Sequence, residues 1–376
     1  PDRALTPGGN GRNLMATLTS PAQDVADFWE WHELALKNGW TDGLLVAPPT
    51  EERVTRIIDH LGRDPGEVIG AVGPRDGLAT IEQVAINCAM AGCEPEHVPV
   101  VIAALEAMLE PEFNLHGVQA TTNPCAPLVI VSGPIVTELG FNAKEGAFGG
   151  GSRANACVGR AVRLILWNIG GGIPGETDMS SQGQPAKYLF CAAENAEQSP
   201  WQPLHVERGL RPEQSAVTVF ACQSPAPLMV PGNAERILRI IASTLPTTGI
   251  NMFHAAGQLL LSFGAKPAQE LARAGYSKAD VKRWVWENAR YEVGWLRRSG
   301  VLVEGEAHMY YWGHGEEQVP DLARLPDDAR LPMVRGPEML HVAVIGGASQ
   351  WWMGLSPGWG NYGGYAVTNP IRGPRT

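Results

Sequence analysis

A chain of 376 residues with 44% hydrophobic side chains can bury one large core or two medium ones, and its composition excludes disorder. Its 29 Lys and Arg against 39 Asp and Glu give a formal net charge of -10, which argues against nucleic acid or an anionic membrane surface as a partner, because both reward positive charge. An anionic substrate held in a local pocket remains compatible with that balance.

In chain order, residues 1–20 read as a flexible or processed leader. Residues 22–38 have apolar positions at helical spacing and stop at Asn38-Gly39, and Leu44 to Val46 reads as a short strand closed by Pro48-Pro49. Thr50 followed by two glutamates predicts an N-capped helix to about Leu61. Two helices follow, over 80–91 and 97–109. No apolar run is long enough to span a bilayer. Pro127 to Gly133 (PLVIVSG) is a continuous β-branched run, the signature of a buried strand. A glycine loop then opens a helix from Arg153 to Ile169. Further on come a strand over 215–222, a helix over 233–244 and a strand over 258–263. A helix capped by Ser277 with Asp280 at its third position runs to Arg290, and a strand spans Leu340 to Ile345 before a glycine turn. Strands alternating with helices predict an α/β fold with mostly parallel sheets covered by helices on both faces. The chain divides into an N-terminal lobe (21–222) and a C-terminal lobe (223–376), as one large domain or two similar lobes. There is no internal repeat of fixed period, and the 44 glycines and 30 prolines punctuate the apolar segments as turns.

The chemistry-bearing residues concentrate between Asn87 and His205. Six cysteines, none in a Cys-x-x-Cys pair, sit in apolar or small-residue flanks and read as reduced thiols of a cytoplasmic protein. Cys93 precedes a helix N-terminus and lies four residues from His97, a setting that favours thiolate, although Glu94 and Glu96 oppose it. Cys125 is the second candidate nucleophile. His116 and Glu194 are candidate proton shuttles, with Glu176, Asp178 and Asn195 as further polar groups in the long tract 168–205 that holds Glu194. For binding, the Gly149-Gly150-Gly151-Ser152-Arg153 run offers backbone N–H groups, a helix N-terminus and a cation to an anion, without the spacing of a P-loop or dinucleotide fingerprint. Asn123 and Lys187 join Ser152 and Arg153 as candidate substrate contacts. After the last predicted strand, Gly346-Gly347-Ala348-Ser349 leads into Trp351 and Trp352, a placement suited to a ligand wall or a subunit contact. No cofactor is expected; the tightest metal-ligand set is His308 and His314 with Glu316 and Glu317, without zinc-site spacing.

Six stretches resemble the bacterial UGSC-like, selenoprotein-related family: 38–54, 85–101 (AINCAMAGCEPEHVPVV), 113–134 (FNLHGVQATTNPCAPLVIVSGP), 183–209, 277–281 and 356–371. The resemblance spans nearly the whole chain. It implies thiol or redox chemistry, with Cys93 matching the cysteine of the family's AGC-x-P-E motif. Cys125 and Gly264-Ala265-Lys266 depart from the family pattern. Together these readings predict an enzyme acting on a small anionic organic metabolite through a cysteine thiol with carboxylate or histidine help. The alternatives are a cofactor-free or metal-assisted hydratase or lyase, and a non-catalytic subunit of a thiol- or selenoprotein complex. A homo-oligomer is expected.

Overall fold

The computed structural model describes residues 18–249, 251, 253, 257–302 and 325–373. Most of the expected leader, and His308, His314, Glu316 and Glu317, lie outside the described residues.

Local sequence sets the first helices. Asp27 caps α1 (Phe28–Lys37) by accepting from the N–H groups of Trp29 and Glu30. Thr50 caps α2 (Glu51–Leu61), which Gly62 ends in the left-handed region at φ 59°. The hairpin β1 (Val68–Val72) and β2 (Gly77–Thr80) feeds α3 (Ile81–Met90) through a capping box of Thr80 and Gln83. The first half continues through α4 (Val98–Met108), α5 (Leu115–Ala120), β3 (Ala126–Ser132), α6 (Ile135–Glu138), α7 (Arg153–Asn168), β4 (Cys191–Ala193), α8 (Leu204–Glu207) and β5 (Ala216–Cys222). The second half contains β6 (Ala226–Met229), α9 (Ala234–Thr244), β7 (Leu259–Phe263), α10 (Ala265–Arg273), α11 (Lys278–Asn288), β8 (Arg290–Glu292), α12 (Val293–Arg298), β9 (Arg330–Pro332), β10 (Leu340–Val344), β11 (Trp352–Pro357) and β12 (Val367–Pro370). Leu44 to Val46 forms no strand. It has no strand neighbour, and its backbone is held instead by the Trp31 indole donating to the Val46 carbonyl at 3.0 Å and by the Ala47 N–H on Met90.

Two four-stranded sheets organise the molecule, ordered β12-β5-β3-β4 and β10-β7-β11-β6. In each, one central strand has a parallel edge neighbour (β3 with β4, β7 with β10) and an antiparallel partner on its other side (β5, β11). The expected mostly parallel sheet is thus replaced by two mixed sheets. One outer strand is lent across. After β5 the chain crosses to place β6 in the second sheet, and after β11 it returns to place β12 in the first.

Alternate residues along these strands enter different cores. Val129 and Val131 of β3 and Val217, Val219 and Ala221 of β5 pack under α3, α4 and α7. Leu259, Leu261 and Phe263 of β7, with Val342 and Val344 of β10, pack under α9, α10 and α11. The intervening residues point the other way and meet in a third core: Leu128 and Ile130, Ala192, Phe220, Leu260 and Ala343. The two sheets therefore lie face to face with helices outside both, a helix–sheet–sheet–helix stack. This is why β3 and β7 are apolar on both faces, the pattern otherwise read as a parallel sheet under two helix layers.

A buried histidine inside the stack is paired. His341 shares a hydrogen bond of 2.8 Å with Gln258 Oε1, which also accepts the Ala366 N–H, and its ring meets Phe220 edge-on at 5.7 Å. Burial pulls the His341 imidazole down to about 3, so it is neutral in the fold and ionises only in the unfolded chain below about pH 6.5.

Two predictions follow from the stack. Leu128→Ala opens a hole between the sheets and is expected to lower unfolding free energy by roughly 2–5 kcal/mol in denaturant titration, against less than 0.5 kcal/mol for a surface change such as Lys144→Ala. Because the folded His341 pKa lies below the unfolded value, its neutrality stabilises the fold above about pH 6.5, and that contribution is lost as pH falls toward 3. The wild type should lose up to about 1.4 kcal/mol more per pH unit across that window than His341→Asn; parallel stability curves for the two proteins would contradict it.

Candidate functional site

The Cys93 environment disfavours thiolate. Cys93 is fully buried after α3, and its Sγ donates to the Cys157 carbonyl at 3.5 Å. A hydrogen bond with the Cys88 thiol, then burial, push its pKa well up, outweighing the opposing charge of Arg153. His97 brings no positive charge, because burial holds its pKa below the usual value and its Nδ1 accepts the Glu94 N–H at 3.1 Å. Cys157, half-buried, rests on the Gly92 carbonyl at 3.3 Å, and burial raises its pKa too.

Arg153 does not serve the glycine loop. Its guanidinium turns back onto the Gly92 carbonyl at 3.0 Å and the Glu94 carboxylate at 2.6 Å, which Arg56 holds from the other side. Ser152 is occupied as the N-cap of α7. His116 is exposed on α5, and Asn123 sits in the turn before β3 with its Oδ1 buried and unpartnered.

Glu194, just past β4, is 1% exposed and accepts from Ser132 Oγ at 3.0 Å and the Leu204 N–H at 2.7 Å. Lys278, the first residue of α11, reaches it from the other half at 3.6 Å and also approaches Glu207 at 3.4 Å, which pairs in turn with Lys282. His205 is buried beside this group and held below its usual pKa, mainly by burial. The cluster ties the halves together; its contacts join Glu194 to neither candidate thiol nor to His116.

The densest chemistry lies on α7, at the amino end of β3. Arg160 and Arg163 project from one side of this largely buried helix. Arg160 pairs with Asp42 at 2.7 Å, and both side chains are nearly buried. Arg163 donates to the Gly172 carbonyl at 3.0 Å and lies 3.9 Å from Asp178. Asp178, only 3% exposed, takes both of its short bonds, 2.7 and 2.8 Å, from the Lys187 ammonium. Burial draws the Arg160 and Arg163 pKa values down, and the nearby carboxylates oppose it. Asp42 Oδ2 and Arg160 Nε are buried without partners. A cavity of about 610 Å³ opens here, lined by Asp42, Arg163, Trp167, Asp178, Lys187 and Tyr188 among others. Cys125 lines a smaller space beside it with Gln119, Arg163 and Lys187, and burial pushes its thiol to about 12. Lys187 and Asp178 were visible in sequence. Asp42, Arg160 and Arg163 were missed, although two arginines inside a buried helix were a usable signal.

A second opening, of about 790 Å³, lies at the carboxyl ends of β7 and β10, where ligands favour parallel strands. The glycine loop and the Gly346–Ser349 turn, predicted separately, face each other across it, and Gly346 N–H donates to the Ala143 carbonyl at 2.9 Å. A side chain at Gly347 would meet the Glu145 carboxylate, which would have to swing aside. Ser349 lines this groove. Trp351 does not; it packs against the second core, with the Lys266 ammonium 4.7 Å from its ring.

No family model, curated protein or solved structure matches the chain. The likeness to the UGSC-like family accordingly rests on the six sequence stretches alone. Among the described residues no helix is long and apolar enough to cross a membrane, and no cluster of three or more His, Cys, Asp or Glu side chains is arranged to hold a metal ion.

The thiol environments are checked by a disulfide reagent at pH 8. Cys157 is expected to react first in the native protein, and Cys93 and Cys125 only on unfolding. Native labelling that persists in Cys157→Ser and maps to either buried thiol would show that the packing around them opens.

Proposed function

We propose that the chain is an enzyme acting on a small anionic organic metabolite, bound in the cavity beside Arg163, Asp178 and Lys187. One observation carries this reading: in a chain of net charge -10, a cluster of three largely buried cations (Arg160, Arg163 and Lys187) pairs with only two carboxylates (Asp42 and Asp178), and all of these except Arg160 line one opening. Buried charge is costly unless it is neutralised, so the uncompensated cation is best satisfied by an incoming carboxylate or phosphate. Arg163 is suited to hold it through planar, bidentate contacts and Lys187 through a point charge.

Among the chemistries open to such a site, acid–base catalysis of a hydration, elimination or proton abstraction fits better than thiol attack. At a pKa of about 12, on the order of one Cys125 in 10⁵ is ionised at pH 7. Lys187 donates to both Asp178 oxygens, which fixes its ammonium at the cavity, and a carboxylate bound at Arg163 would lie within reach of it. The thiol reading keeps one supporting observation, the position of Cys125 beside the same two cations.

The test is binding followed by exchange. Malonate titrated into the full chain and followed calorimetrically is expected to bind saturably. Lys187→Met should weaken it at least about tenfold and Lys144→Met, on the surface, should not change it. Equal affinity in all three proteins, or no binding, would refute the site. Deuterium incorporation into a panel of hydroxy and unsaturated acids in D₂O should then require Lys187 and survive Cys125→Ser; loss in the cysteine variant would restore the thiol mechanism.

A further inference from the structure

The basic cavity and the carboxyl-end groove share a wall. Pro185 and Tyr188 line both, and Ala186, Leu189 and Phe190 line the groove on one side and the small space beside Cys125 on the other. One short segment therefore separates the two openings, with Lys187 on its basic side and the half-exposed Tyr188 ring common to both.

Their chemistry differs sharply. The groove is walled by Phe148, Leu189, Phe190, Ile345, Trp352 and Met353, with the hydroxyls of Ser224, Ser262 and Ser349 spaced along it. Its single charged lining residue is Glu145, which repels an anion. Every cation of the combined space stands on the other side of the wall. Trp352 and Tyr188 leave about half of their surfaces, 49% and 48%, in solvent at the groove, although large aromatic rings gain most from being covered. Glycines keep the groove open. A side chain at Gly354 would meet Ser262 Oγ at 2.6 Å and Pro225 Cβ at 2.8 Å, so the floor between β11 and β7 accepts no larger residue.

We infer that the ligand is an amphipathic acid: a carboxylate or phosphate head held by Arg163 and Lys187, joined to an apolar or aromatic body that passes Tyr188 and lies along the groove against Phe190 and Trp352. This rests on the anionic site proposed above and adds the class of molecule it takes. The two openings together suit a ligand longer than a simple dicarboxylate, and their division of charge orients it in one direction only.

A homologous series tests it. Butanoate, octanoate, 3-phenylpropanoate and the uncharged octanamide are titrated calorimetrically into the full chain, into Lys187→Met and into Trp352→Ala. Burial of each methylene should tighten binding by up to about fourfold, so octanoate and phenylpropanoate are expected to bind at least about tenfold more tightly than butanoate. Trp352→Ala should erase most of that gain while leaving butanoate unchanged. Lys187→Met should weaken every acid and leave octanamide alone. If butanoate binds through Lys187 but octanoate gains nothing, the amphipathic inference falls and the anionic site stands. If octanoate and octanamide bind alike, dependent on Trp352 and not on Lys187, the anionic site falls and the inference with it. Absence of binding by all four overturns both.

Discussion

Everything in the molecule hangs on two sheets pressed together. Leu128, Ile130 and Phe220 from one and Leu260 and Ala343 from the other form a core that neither half owns, and helices seal the outer faces. Because this contact covers much of the inner face of β3, β5 and β7, these strands carry apolar residues on both faces, broken only by Thr218, Ser132 and Ser262. It also forces the openings to the ends of the stack. One lies at the amino end of β3, where α7 brings in its arginines. The other lies at the carboxyl ends of β7 and β10, where the glycine loop of the first half covers the second.

The same stack explains what was legible in the sequence and what was not. Some helices with a side-chain cap were readable from a few letters: Thr50 and Ser277 each announced a start that the fold uses. The strand at Pro127 to Gly133 was equally plain. Its pairing was not, since a run apolar on both faces records burial on both faces and says nothing of whether a helix or a second sheet supplies it, or which way the neighbour runs. Short strands such as β6 and β12 carry too few residues to show a period, and they exist because a longer strand lies alongside.

The candidate site divides along a similar line. The glycine loop and the Gly346–Ser349 turn were each recognised locally, and only the fold places them opposite one another. Cys93 and Arg153 misled for a related reason. Proximity to His97 and to a helix start suggested an activated thiol, and the glycine run suggested a free cation, but burial and the Glu94 carboxylate decide both cases, and burial is a three-dimensional quantity. Arg160 and Arg163 were hidden in a helix whose remaining residues look like ordinary core. The polar residues that matter most are the ones that the chain can keep inside only by pairing them with Asp42 and Asp178, over a hundred residues upstream for one arginine and fifteen downstream for the other.

The return of β12 to the first sheet carries a meaning of its own. Thr218 on β5 meets Thr368 on β12 at 2.8 Å across a separation of 150 residues, so the first sheet stays one strand short until β12 has been made and docks. A first half made alone would present the bare β5 margin to its surroundings or to sister chains, and that margin is apolar. The second half lends β12 to the first sheet, so the first half is not a complete unit without a strand from beyond it. The two halves are stitched together through that strand, and the first sheet closes only when the second half is present.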